Sequence, residues 1–313
     1  MNEAPLISVL MPAYNAEKFI EAAIQSMLDQ TYSNWELLIL NDGSTDSTGL
    51  KIGTYSDKRI RTFEQEENQG YLKSCNELFD LASGAYLTFL DADDLCSPSR
   101  LETCVSAFNN NSALDFLTTD HLRIDEFGKT VSQHRVLLDY ETYASDPSYY
   151  PTICCATVFL KKTLLTNVGK YHPFFDGIGG EDYHWLFRLA RTGKGIHLQG
   201  QDLYLYRKHP NQIQQVNQEP LKYFVADIDK EIRKALIDSK IDLLEHPNSL
   251  KKRWQEKVNS QPSELQFRIA NSLLNRNLSK EAFVNGIKAT LLRPFSLTSW
   301  HRLAYLSYSI LMR

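Results

Sequence analysis

The sequence predicts an α/β fold: a mostly parallel sheet sandwiched by helices, with a C-terminal all-helical appendage. Apolar strand-like runs alternate with helix-period stretches from Leu6 to Asp94, the pattern of a parallel sheet joined by right-handed crossovers. From about Glu219 onward strand signals vanish and only helical periodicity remains. A chain of 313 residues, 42% hydrophobic and 23% charged, has the size and composition for one large domain plus an appendage. The expected division is between residues 1–215 and 216–313.

Leu6 to Met11 is the first expected strand, stopped by Pro12-Ala-Tyr-Asn15. Asn15 suits an N-cap, and Phe19, Ile20, Ala23, Ile24, Met27 and Leu28 then recur at helical spacing. Trp35 to Leu40 is the second strand, running into an Asp/Ser/Thr-rich turn, Asn41 to Thr48, that should open a helix. Arg59 to Phe63 reads as a third strand and Asn68-Gln-Gly70 as a turn. Tyr71 to Leu81 follows as a helix with Leu72, Cys75, Leu78 and Phe79 on one side, ended by Ser83-Gly84. Leu87 to Leu90 is a buried strand that ends in three carboxylates, Asp91, Asp93 and Asp94. The turns after the first two strands and this acid cluster share one sheet edge, where open α/β sheets bind ligands.

Ser97-Pro98 should start the next helix with Pro at its first position, and Leu101, Cys104, Val105 and Phe108 form its buried stripe. Asp115 to Thr119 is a short strand. Residues 120–150 read as a hairpin around Glu126-Phe-Gly128 and a Tyr-rich loop from Tyr140 to Tyr150, a candidate acceptor-side segment. Ile153 to Leu160 is an apolar strand. Gly177, Gly179 and Gly180 lead into a helix whose first turn holds Glu181 and Asp182, where the helix dipole favours acids. Ile196 to Tyr206 reads as one further strand. Tail helices are expected near 220–240, 248–259, 263–276, 279–292 and 297–311, with Pro294 separating the last two.

No apolar run approaches the roughly 18–20 residues of a membrane span. Met1 to Pro5 lacks the basic start and apolar core of a secretory signal, so the expected compartment is the cytoplasm. Five cysteines, without a C-x-x-C pair and with Cys154 and Cys155 adjacent, suit buried thiols better than disulfides or zinc. The net charge of −4 is uneven: His246 to Arg313 holds eleven Lys/Arg and three Asp/Glu, net +8, which leaves −12 on residues 1–245. Such asymmetry suits either an anionic partner for the tail or a solvated helical face. With no nucleic-acid motif and an acidic first part, no nucleic-acid partner is expected.

Asp91, Asp93 and Asp94 raise one another's pKa unless a cation neutralises them. Their chemistry alone suits either Mn²⁺ or Mg²⁺ bridged to substrate phosphates, or a polar strand end followed by a helix cap. The other motifs bear on that choice. In order they are Ser8 to Asn15, Leu40-Asn-Asp-Gly-Ser-Thr-Asp46, Asn68-x-Gly70 with Asn76, Phe89-Leu-Asp-Ala-Asp-Asp94, and Gly180-Glu-Asp182 with Trp185 and Arg188. Each is weak alone; together, over about residues 5–210, they resemble the family 2 glycosyltransferases with their GT-A, Rossmann-like fold.

The resemblance implies an inverting transfer of a sugar from a nucleotide diphosphate-sugar, most often a UDP-sugar, to an acceptor hydroxyl in cell-surface polysaccharide synthesis. It implies that Pro12, Ala13, Tyr14 and Glu17 line the nucleoside, that Asp42 accepts from the base, and that Gly43 lets the backbone come close. Asn68, Gly70, Asp91 and Ala92 belong to the same donor side. Asp93 with Asp91 would hold Mn²⁺ or Mg²⁺, and His209 would close over the diphosphate as a further ligand. Asp182 is the implied general base and Glu181 orients the loop or acceptor. Arg207 suits a phosphate or a surface carboxylate. The implied partners are the nucleotide-sugar donor and a glycan or lipid-linked acceptor.

In the last helix Trp300, Arg302, Tyr305, Tyr308 and Arg313 mix with Leu303, Leu306 and Leu311. That suits an interfacial helix on an anionic membrane, or packing on the catalytic domain or on a second copy in a homo-oligomer. Two rival classes are weighed by single features. A sugar-phosphate nucleotidylyltransferase needs a Gly-rich, Arg-containing loop where Pro12 to Asn15 stands, and a silent nucleotide-sugar-binding protein would lack Asp93 or Asp182.

Overall fold

Every residue of the first two strands, β1 (Ile7–Ala13) and β2 (Trp35–Asp42), is buried. Burial along a whole strand requires cover on both faces, which crossover helices supply. The computed structural model describes residues 4–209, 224–275, 279–292 and 296–311. In it α1 (Ile20–Leu28), α2 (Thr48–Ile52) and α3 (Tyr71–Leu81) alternate with β1, β2, β3 (Ile60–Gln65) and β4 (Tyr86–Phe89). Ile20, Ala23, Ile24 and Met27 of α1 are buried, as are Leu72, Cys75, Leu78 and Phe79 of α3. Each large apolar side chain so buried contributes about 1.5–3 kcal/mol.

The chain continues through β5 (Leu95–Cys96), α4 (Arg100–Asn110), β6 (Phe116–Thr119), β7 (His121–Ile124), β8 (Thr130–His134) and α5 (Tyr140–Ser145). Then come β9 (Phe159–Lys161), α6 (Lys162–Val168), α7 (Glu181–Thr192), β10 (Gly195–Leu198) and β11 (Tyr204–Arg207). The main sheet has seven strands in the order β10-β6-β9-β4-β1-β2-β3. Only β9 runs antiparallel to its neighbours, β4 and β6. Ala13 pairs with Asn41 and Leu10 with Phe89, so the loops after β1, β2 and β4 leave the same edge. A second sheet, β5-β11-β7-β8, contains the expected hairpin.

Five local expectations differ from the structure. Asn15 does not cap α1. It sits at φ 48°, and its side chain accepts from Thr45 N at 2.8 Å, so its capping oxygen is spent on tying two loops together. α4 begins at Arg100, because Pro98 and Ser97 form a lead-in turn in which Ser97 O accepts from Arg100 N at 3.0 Å. The Tyr-rich loop contains α5, capped by Asp139 accepting from Glu141 N. Ile153 to Leu160 is not one strand: residues Cys155–Thr157 make a 3₁₀ turn before the three-residue β9. Ile196 to Tyr206 divides into β10 and β11, in different sheets, with Gly200 at φ 80° between them.

The chain forms two compact units, residues 1–217 and 218–313. The expected division at 215/216, and Pro294, lie outside the described residues. In the second unit the five tail helices are α8 (Val225–Lys234), α9 (Pro247–Asn259), α10 (Pro262–Asn275), α11 (Ser279–Leu291) and α12 (Leu297–Leu311). Ala270, Ala282 and Leu306 form a small core where α10, α11 and α12 meet. Among the described residues no helix is long and apolar enough to cross a membrane.

Candidate active site

Two loops meet beyond the ends of β1 and β2. Pro12 and Ala13 are buried as the last residues of β1, with Ala13 in the core, while Tyr14, at 43% exposure, and Asn15 are exposed. Glu17 knits the loops: its carboxylate accepts from Ser47 N at 3.0 Å and its own N–H donates to Asp46. Asp42 is buried, and its two oxygens accept from the backbone of Gln69 at 2.7 Å and Gly70 at 2.9 Å. It therefore braces the turn that opens α3, in which Asn68 and Gln69 are exposed. Gly43 sits at φ 64°, and a Cβ there would lie 2.5 Å from the carbonyl carbon of Glu67. Packing of one loop on the other, rather than close approach of a ligand, requires this glycine.

The acids after β4 are held individually. Asp91 accepts from the Tyr71 hydroxyl at 3.2 Å, and its N–H donates to Tyr204. Burial, then the charge of Asp93, pushes Asp91 up to about 7. Ala92 packs in the core, leaving only its backbone to the edge. Asp93 and His209 meet, Oδ2 to Nε2, at 2.8 Å. Asp94 is buried; its Oδ1 accepts from Arg207 N at 2.6 Å, and the Tyr204 hydroxyl also bonds its carboxylate. Burial, then the charges of Asp93 and Asp91, hold Asp94 well above the usual carboxylate range.

Arg207 does not stand open for a phosphate. Its guanidinium donates to the carbonyls of Asp93 at 2.6 Å, Asp125 at 3.2 Å and Glu126 at 3.0 Å, and it stacks over Phe19. It fastens the acidic turn to the hairpin between β7 and β8. Arg100, fully buried, ties the end of β4 to the Cys155–Thr157 turn, donating to Phe89 O, Thr88 Oγ1 and Ala156 O at 2.7–2.9 Å. Sequence reasoning missed Arg100, although it shares the i, i+4, i+8 stripe of Cys104 and Phe108, where a cation is out of place.

The third group stands at the start of α7. Gly180 takes φ 86° and the helix opens with Glu181 and Asp182. Asp182 accepts from Tyr183 N at 2.7 Å and takes a hydrogen bond from the Cys155 thiol. Trp185 packs against Phe89 at the end of β4, against Phe79 and against Tyr171, with ring centroids 5.4–6.0 Å apart, and donates to Gly169 O. Arg188 donates to the carbonyls of Val168 and Lys170, and Asn76 clamps the Tyr171 peptide. These contacts lock α7 onto the end of β4. As a result Asp182 lies within electrostatic reach of Asp91 and raises it. Burial, then the charge of Asp182, pushes Glu181 up to about 8.

The structure thus gathers Asp91, Asp93, His209, Asp182 and Glu181, while Asp42, Asn68 and Gly70 stand further along the edge on the β2 side. All five cysteines are free thiols, four of them buried. Among the described residues no three His, Cys, Asp or Glu side chains converge as a ready metal cage.

Known proteins share this pattern. A family model described as Glycosyl transferase family 2 matches residues 8–168. The Escherichia coli UDP-Glc:alpha-D-GlcNAc-diphosphoundecaprenol beta-1,3-glucosyltransferase WfgD is 36% identical over 186 residues, covering 58% of this chain and 68% of that one. An uncharacterised glycosyltransferase of Haemophilus influenzae is 32% identical over 230 residues, 69% of each chain. The crystal structure of S. aureus TarS 1-349 in complex with UDP-GlcNAc superposes with a TM-score of 0.60 at 18% identity, over 97% of this chain and 88% of that one. The match over residues 8–168, with relatives that keep the same α/β layout, means that this chain belongs to glycosyltransferase family 2 and carries its GT-A fold.

Proposed function

We propose that this glycosyltransferase moves a sugar from a UDP-sugar to the hydroxyl of a glycan or lipid-linked acceptor, with inversion, during cell-surface polysaccharide synthesis. The nearness of Asp182 to Asp91, across the junction of α7 and β4, carries the reading. The relative WfgD is named for UDP-Glc and a diphosphoundecaprenol-linked acceptor, and TarS has been crystallised with UDP-GlcNAc. Both support the donor class. The chemistry falls in the first unit, residues 1–217.

In this reading the acceptor oxygen bonds to the anomeric carbon as the bond from that carbon to the diphosphate breaks. The acceptor's proton passes to Asp182, and the electron pair leaves with the nucleoside diphosphate. Glu181 and Asp182 are adjacent acids in the first turn of α7. Glu181 keeps its proton to about 8, so at neutral pH it donates a hydrogen bond that orients the acceptor. Asp182, in the first turn of α7, accepts from Tyr183 N, and a helix start favours an acid there. Tyr14 and Asn68 line the nucleoside side of the edge, with Asp42 bracing the Gln69–Gly70 turn beside them.

The donors near β4 fit Mn²⁺ or Mg²⁺. Buried Asp94 and Asp91, both raised by burial and by the neighbouring acids, mark a crowding of carboxylates that Arg207 and Arg100, engaged elsewhere, leave only partly compensated. Asp93 and His209 would hold the ion, with Asp91 beside them; such ions take few protein ligands and fill the rest from phosphate and water. When bound it supplies charge neutralisation at the diphosphate leaving group.

A panel of UDP-, GDP- and dTDP-sugars tests the donor, with and without chelator. Turnover should appear with a UDP-sugar and vanish in EDTA; equal turnover in EDTA removes the metal. Asp182→Asn should lose about 10²–10⁴-fold in kcat while still binding donor. Normal turnover by that variant overturns the assignment of the base.

A further inference from the structure

α11 is built inside out. Its inward side carries small residues, Ala282, Gly286 and Ala289, all buried. They permit close packing: a Cβ on Gly286 would lie 2.5 Å from Leu306 Cδ2. Its outward side carries the large apolar residues, Phe283, Val284, Ile287 and Leu291, and Leu292 follows directly. All five are exposed, Leu291 by 67%. The unit's own core therefore does not use them. On α12 the polarity is conventional, with Leu306 buried and Trp300 and Tyr305 exposed. Of the two readings of α12, an interfacial face or packing, Leu306 and Leu303 go to packing within the unit: Leu306 is core, and Leu303 lies beside Gly286.

Residues 246–313 carry a net charge of +8, although Glu281 is exposed on α11 itself and Arg302 is paired with Glu264. Glu281 is the last acid of the chain: residues 282–313 contain no Asp or Glu and four cations, Lys288, Arg293, Arg302 and Arg313. Lys288 is exposed on α11 among the apolar residues. We infer that the outward face of α11 lies on an anionic lipid surface, with Phe283, Ile287 and Leu291 entering the headgroup–acyl boundary and Lys288 meeting the headgroups. The combination of an apolar stripe, flanking cations and exposed Trp and Tyr is what an interfacial helix requires.

Flotation of the full chain with phosphatidylglycerol-containing vesicles and with pure phosphatidylcholine vesicles tests the inference. Binding should be at least about tenfold stronger to the anionic vesicles and should weaken as salt rises. Ile287→Ser with Leu291→Ser should weaken it about tenfold or more, with unchanged thermal melting to show that the chain is folded. Lys288→Glu should weaken anionic binding and leave the weak binding to neutral vesicles unchanged. Equal flotation with both vesicle types, or wild-type flotation by the double variant, overturns the inference. So does a dimer in sedimentation velocity that the double variant abolishes without vesicle binding by the wild type, because the face then belongs to a second copy. Asp182→Asn should float as wild type, so failure here and failure of the transfer reading are separate results.

Discussion

The two units spend their apolar residues in opposite ways. In the first, β1 and β2 bury every residue, and the exceptions to burial and neutrality collect at one sheet edge. In the second, α11 keeps small residues inside and shows its large ones to the outside. The first pattern concentrates unbalanced charge where a ligand must supply the balance. The second leaves apolar area uncovered where a surface must supply the cover. Function is legible in each unit at the place where ordinary folding rules are broken, and the broken rule names the chemistry of the partner.

If the sheet edge is as over-determined as its contacts suggest, its clamps should be costly to remove. Arg207→Met strips three backbone carbonyls of a buried donor and should destabilise the chain by about 3 kcal/mol. Because the guanidinium fixes the peptide of Asp93, the folded fraction should also lose about 10²-fold in kcat/KM. Chemical denaturation and steady-state kinetics together check this. Wild-type kinetics in a merely less stable variant would mean that the turn needs no clamp. Gly43→Ala should cost less, about 1–3 kcal/mol, since it forces a side chain onto φ 64° and into the Glu67–Asn68 peptide. Its kinetic effect should fall on KM for the donor rather than on kcat.

A smaller effect should come from pH. In the folded chain Glu181 holds its proton to about 8, against an ordinary 4.5 when unfolded. Between those values the folded state binds more protons than the unfolded one, so stability falls as pH rises through that window. The contribution is complete below about 4.5 and gone above about 8. Melting of metal-free Glu181→Gln across this range should show a shallower decline than wild type. Parallel curves would mean that Glu181 is not the group that takes up the proton.

Much of the first unit could be read from the chain because local signals and tertiary outcome agree. An apolar run ending in Asp91, Asp93 and Asp94 is a strand end wherever it folds, and Gly180 ahead of Glu181 marks a helix start. The parallel order then brings the strand ends together without further information. What could not be read depends on long-range reach. Arg100 and Arg207 act on main-chain carbonyls of residues as distant as Ala156 and Asp93, which carry no side-chain signature. The 3₁₀ turn at Cys155–Thr157 breaks an apolar run that periodicity alone reads as a strand. Asp42 and Gly43 were read for a ligand, yet each has a bond or a clash with the 67–70 segment that already accounts for its identity. α11 was read as a helix, but with apolar residues on both sides its pattern does not say which side turns inward. Residue size, rather than hydrophobicity, decides that.

The smallest expected effect is therefore the most diagnostic for the second unit. Leu291→Ser removes a large apolar side chain, which in a core costs about 2–5 kcal/mol. Leu291 is 67% exposed, so the change should stay within about ±0.5 kcal/mol. Ala282→Leu is the reverse test: it adds apolar volume at a position with no exposure, between Ala270 and Leu306, and overpacking there should cost about 1–3 kcal/mol. A hydrophobicity scale ranks these substitutions the other way round, favouring the leucine and penalising the serine. Thermal or denaturant unfolding of the full chain separates the two accounts. If Leu291→Ser destabilised strongly while Ala282→Leu did not, the large residues of α11 would face inward. The contrast between the two units would then disappear, and the lipid-facing stripe with it.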